Sequence, residues 1–129
     1  MIFWILAVLA LFVVQSMLPV CVRYALDKSD GVPWRTILGP RDEQPPMPVM
    51  GNRAARALGN LQESLPVFLT LALLHVIQKT EAGLAGQGAA IFLVARVLYV
   101  PAYLSGIGGV RSLVWSVGWV GLGFMIAAL

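Results

Sequence analysis

Four apolar runs, each long enough to cross a bilayer as a helix, take up most of this chain and decide what it can fold into. A hydrocarbon core of about 30 Å is crossed by about 20 mostly apolar residues, with about 17 to 25 tolerated. Residues 2–22, 58–77, 88–104 and 112–129 meet that requirement. The remainder is too small for a second core. Of 129 residues, 59% are hydrophobic and 12% charged, against the roughly 25% charged of an ordinary soluble domain. The expectation is an all-α integral membrane protein, a single four-transmembrane-helix bundle with no internal repeat.

The charge is concentrated in the one long polar connection, residues 23–57, which also holds five of the eight prolines: Pro33, Pro40, Pro45, Pro46 and Pro48. Proline removes a backbone donor and clashes with the preceding turn, so a loop is expected there. Residues 78–87 and 105–111 are short, glycine-bearing links, which make consecutive helices antiparallel neighbours. Of the nine Lys and Arg residues, Arg23, Lys28, Arg35, Arg41, Arg53 and Arg56 lie in the first loop and Arg111 in the third, seven in all. Lys79 alone marks the second loop and Arg96 lies inside a span. The positive-inside rule therefore puts loops one and three in the cytoplasm and both termini outside. An integral membrane location is expected. Tyr24, Trp34 and Trp115 near the inner boundary, and Trp4 near the outer one, are expected to be interfacial anchors.

Several function classes fall away. The net charge of +3 belongs to topology, since no basic face is interleaved with aromatics as nucleic-acid binding requires. One cysteine, Cys21, allows neither an internal disulfide nor a CxxC metal site, and no metal is expected. Cys21 reads as an inert apolar filler. The N-terminus has no basic leader and its apolar run continues past any cleavage point, so it reads as a retained span.

The second span opens with polar residues at helical spacing. At 100° per residue, Arg56, Asn60 and Glu63 stand at 0°, about 40° and about −20°, with Arg53 near 60°. An ionisable side chain at the centre of a membrane helix costs about 2.5 to 3.5 kcal/mol on insertion scales, so this stripe must face a partner, a cavity or water. In the third span Arg96, Tyr99 and Tyr103 fall within about 60° of one another, and Arg96 lies about 12 Å from the helix end, at the depth of Glu63. Two readings fit this pattern: a structural Arg96–Glu63 ion pair, or a ligand pocket open to the cytoplasm. Asn60, Tyr99 and Tyr103 are more donors than one pair needs, which favours the pocket. Pro66 frees the carbonyl of Gln62 and predicts a kink beside it. Gly118, Gly121 and Gly123 predict close packing of the fourth helix, and His75 a capping or interface role near the outer face.

The run Arg56-Ala-Leu-Gly-Asn60-Leu-Gln-Glu63-Ser-Leu-Pro66 resembles the RxxxNxxExxP signature of the MAPEG family, membrane-associated proteins in eicosanoid and glutathione metabolism. Arg96 to Tyr103, continuing to Arg111-Ser112, is similar to the prostaglandin E synthase branch, and Gly39 to Glu43 to the short bacterial members. The resemblance implies a homotrimer in the lipid bilayer, with glutathione bound as co-substrate between neighbouring subunits near the cytoplasmic face. It implies glutathione contacts at Arg56, Asn60, Glu63, Arg96, Tyr99, Tyr103 and Ser112, with Arg53 on the same stripe, and thiolate stabilisation by Arg111. It assigns no position to Arg35 or Arg41. Ser64 stands where the leukotriene synthase branch has tyrosine.

The chemistry agrees with those roles. Arginine forks suit the two carboxylates of glutathione, Glu63 suits its ammonium, and a guanidinium near sulfur favours thiolate. The expected activity is glutathione-dependent transfer to, or reduction of, lipophilic electrophiles or hydroperoxides arriving from the bilayer. Two other classes remain open: a small proton-coupled exporter using Glu63, which Arg96 opposes by holding that carboxylate ionised, and a non-catalytic membrane scaffold.

Overall fold

The computed structural model describes residues 1–26, 38–39, 46–80 and 82–129, so Lys28, Trp34, Arg35 and Arg41 lie outside the described residues. Four helices appear where four spans are expected: α1 (Ile2–Leu26), α2 (Val49–Gln78), α3 (Leu84–Ser105) and α4 (Gly108–Ala127). All four are long and apolar enough to cross a membrane. Their ends differ from the apolar boundaries in a consistent way. α2 begins at Val49 rather than at residue 58, and α1 runs on to Leu26, so Arg23, Arg53 and Arg56 are helical and not in a loop. Apolarity marks where a helix is in lipid and not where it stops. Alanine and arginine, which fill residues 53–57, are among the strongest helix formers. Pro48 stands at the boundary, since it cannot continue a backbone ladder on its N-terminal side. At 1.5 Å per residue, the 30 residues of α2 outrun a bilayer core by several turns, which puts Arg53 and Arg56 at the interface.

The bundle consists of two pairs. α3 packs most extensively on α4, α1 packs on α2, and α2 against α3 joins them. The α3–α4 contact depends on glycine. A Cβ at Gly88 would lie 2.5 Å from the carbonyl oxygen of Gly121, and a Cβ at Gly121 2.7 Å from that of Gly88. Gly118 is constrained by a side chain instead, a Cβ there lying 2.8 Å from the Arg96 guanidinium, and Gly123 faces open space, so the expected packing role holds for Gly118 and Gly121 and not for Gly123.

The apolar core occupies one end of the bundle. Val8, Phe68, Leu71, Ala89, Phe92, Leu122 and Met125 are buried together, and the Phe68 and Phe92 rings stack at 4.7 Å with their planes 9° apart. His75 closes that end, fully buried. Its Nε2 lies 2.9 Å from the Met125 carbonyl oxygen and its Nδ1 2.7 Å from Thr80 Oγ1. A carbonyl only accepts, so Nε2 donates to Met125, and Nδ1 pairs with the Thr80 hydroxyl. This is the interface side of the expected capping or interface role, fastening α2 to α4. Cys21 corrects its expectation: it is exposed on α1 and fills no interior space. α2 continues through Pro66 as one helix.

Candidate functional site

At the opposite end, α2, α3 and α4 diverge around a polar cavity of about 530 Å³, inside the range of small-molecule sites. α2 contributes Arg56, Gly59, Asn60 and Glu63, α3 contributes Tyr99 and Tyr103, and α4 contributes Arg111, Ser112 and Trp115. Spacing within each helix explains the convergence. Positions 56, 59, 60 and 63 share one face of α2, 99 and 103 one face of α3, and 111, 112 and 115 one face of α4. The rim carries two guanidiniums, Arg56 and Arg111, and one carboxylate, Glu63. Arg111 is aimed by an aromatic neighbour, its Cζ lying 5.0 Å from the centre of the Tyr103 ring, a cation–π distance. Tyr103 in turn meets Tyr99 edge-on at 5.5 Å.

Arg96 sits behind this wall and does not line the cavity. It is 1% exposed, its Nη1 donates to Asn60 Oδ1 at 2.7 Å, and its Cζ lies 5.1 Å from the Phe92 ring centre and 5.6 Å from that of Tyr99. Nε and Nη2 have no acceptor. Of the two readings that depth allowed, the Arg96–Glu63 ion pair is not formed within this chain: Arg96 meets Asn60, and the exposed Glu63 faces the cavity. Equal depth is not equal direction. Glu63 and Asn60 differ by about 60° around α2, and α3 crosses on the Asn60 side. Asn60 thereby acts at both surfaces, accepting from Arg96 inside and presenting its remaining polar atoms to the cavity.

Ser64 turns inward. Its hydroxyl donates to the carbonyls of Leu61 and Asn60 at 3.1 and 3.2 Å, two residues before the proline, and it is buried. Arg53 also departs from the cavity. Its Nη1 donates to the Leu104 carbonyl at 2.8 Å, tying α2 to the last turn of α3, and it lines a separate cleft beside the α3–α4 turn. Two wall positions are absent from the sequence expectations. Gly59 adds room, with no atom within 4 Å of where a Cβ would stand. Trp115, expected to be only an interfacial anchor, is part of the cavity wall. Its place four residues after Arg111 was the available signal.

Among the described residues no group of three His, Cys, Asp or Glu side chains could hold a metal ion. The donor set suits an organic zwitterion with more negative than positive charge: two fixed cations and one anion in a cavity walled by three aromatic rings. No curated protein and no solved structure matches the chain. The model of the MAPEG family matches residues 1–129, and with four membrane-length helices in one bundle the chain belongs to that family.

Proposed function

We propose that the α2–α3–α4 cavity binds glutathione and that the protein uses it to conjugate or reduce lipophilic electrophiles drawn from the bilayer. The observation that carries this reading is the charge arrangement of the cavity, two arginines and one glutamate on three different helices. Glutathione bears two carboxylates and one ammonium, the complement of that set. Arg56 and Arg111 hold the carboxylates or the sulfur, Glu63 takes the ammonium, and the Arg96–Asn60 hydrogen bond keeps the Asn60 amide oriented. Bound glutathione supplies the sulfur nucleophile. Arg111 stabilises its thiolate form, and each pKa unit of lowering from about 8.5 corresponds to about 1.4 kcal/mol. Arg56, Glu63, Arg111 and Trp115 are exposed in the single subunit, which leaves this side open to a neighbouring copy in a homotrimer. The arginine-rich end faces the cytoplasm of a bacterial cell on this reading, as the excess of basic residues at that end supports.

The test is a glutathione titration of detergent-solubilised protein, read by thermal shift and by thiolate absorbance. Wild type binds and shows thiolate near neutral pH. Arg56→Ala loses binding, and Arg111→Ala binds without the thiolate signal. Absence of binding in the wild type overturns the proposal, and binding without turnover on a broad electrophile panel leaves the scaffold role.

A further inference from the structure

The cleft that Arg53 lines, about 280 Å³ at the α3–α4 turn, has a different character from the main cavity. Arg53, Arg56 and Arg111 all border it, and among its described lining residues there is no carboxylate. Arg53 is held in place. One donor goes to the Leu104 carbonyl at 2.8 Å, and the guanidinium lies so close under Gly106 that a Cβ there would be 2.8 Å from Nη2. Gly106 itself has φ of 79°, a conformation glycine adopts without penalty. Directly after it, α4 begins without a side-chain cap, so the N–H groups of Gly108, Gly109 and Val110 have no intrahelical acceptor. The location identifies the depth. The end of α3, the start of α4 and the projecting first turns of α2 meet where a bilayer has its headgroups.

We infer that this cleft is a binding site for the phosphate of an anionic phospholipid, adjoining the thiol cavity and sharing Arg56, Tyr103 and Arg111 with it, with Arg53 as its own cation. Basic pockets between membrane helices suit such headgroups, and bidentate arginine contact suits a phosphate. The headgroup depth of the cleft favours a lipid over a soluble phosphate, because an anionic lipid is concentrated at that level with its phosphate facing the basic residues.

The experiment is a comparison of full-length protein in detergent micelles doped with phosphatidylglycerol, with phosphatidylcholine, or with inorganic phosphate at equal concentration, read by native mass spectrometry and thermal shift. Phosphatidylglycerol is retained and stabilises, and phosphatidylcholine and inorganic phosphate do so far less. Arg53→Met lowers the phosphatidylglycerol affinity about fivefold, the ratio corresponding to one interfacial charge. Since Arg53→Met also removes a helix-to-helix hydrogen bond, a second variant separates folding from binding. A side chain at Gly108 enters open space, and an acid in the first turn of a helix is stabilising. Gly108→Asp therefore folds, occupies the cleft with its own anion and abolishes the lipid preference, and Gly108→Asn keeps it. Equal response to the two lipids, an equal response to inorganic phosphate, or a retained preference in Gly108→Asp would each overturn the inference.

Discussion

Arg96 carries the heaviest electrostatic load of any single residue in the bundle: a permanent cation, 1% exposed, with one hydrogen bond, two aromatic rings and two nitrogens without acceptors. Such a group is held by its surroundings rather than by a counter-ion, and Gly118 is the tightest part of them, since a Cβ there would stand 2.8 Å from Arg96 Nη2. Gly118→Ala is expected to cost about 1 to 3 kcal/mol as overpacking. In an Arg96→Met background the cost shrinks, because the shorter apolar chain yields. Thermal unfolding of the four variants of this cycle measures that coupling, and a cost unchanged by Arg96→Met refutes the contact. His75→Ala, which removes both bonds of the buried imidazole, is expected to cost about 1 to 3 kcal/mol by the same measurement. At this scale the sequence was informative about which residues are exceptional, because a charge in a membrane helix stands out in any fold. It could not say that Arg96 meets Asn60 and not Glu63, since that choice depends on where α3 crosses α2.

Helix existence and helix ends were legible to different degrees. All four spans coincide with observed helices, since twenty consecutive apolar residues carry their own evidence. The ends moved outward, most at α2, because Arg53 to Ala57 favour helix without being apolar. The glycines of α4 separate in the same way. Gly121 touches backbone across the α3–α4 interface and Gly123 touches nothing, although the two sit two residues apart in the same helix. Gly121→Ala is expected to lower thermal stability by about 1 to 3 kcal/mol. Gly123→Ala should be neutral or slightly stabilising, since alanine is the better helix former. Equal effects at the two positions would show that the helices are not in contact there. Lys79, the one non-glycine residue with positive φ among those described, at 58°, ends α2 with N–H bonds to the carbonyls of His75 and Val76. A left-handed conformation costs a non-glycine residue about 1 to 2 kcal/mol, so Lys79→Gly is expected to raise the melting temperature despite its looser unfolded chain.

The molecule as a whole is divided between a packed apolar end, centred on Phe68, Phe92 and Met125, and a polar end around Arg56, Glu63 and Arg111. Its orientation is testable with the single native cysteine removed by Cys21→Ser. A cysteine introduced at Lys79 is expected to react with a membrane-impermeant maleimide on intact cells, and one at Gly109 only after permeabilisation. The reverse pattern would place the cavity outside the cell. The sequence by itself determined the membrane habit, the number of spans, the family and the face of each helix that carries polar groups. All of these follow from local composition and from the 3.6-residue repeat. Only the tertiary structure decided which of those faces share one cavity. It withdrew Arg96 behind the wall, moved Arg53 to a second cleft, turned Ser64 inward and brought Trp115 to the rim. The physical reason is that helical periodicity defines angles about one axis, whereas a binding site is defined by the crossing of three axes, and those crossings are set by close contacts such as Gly88 on Gly121.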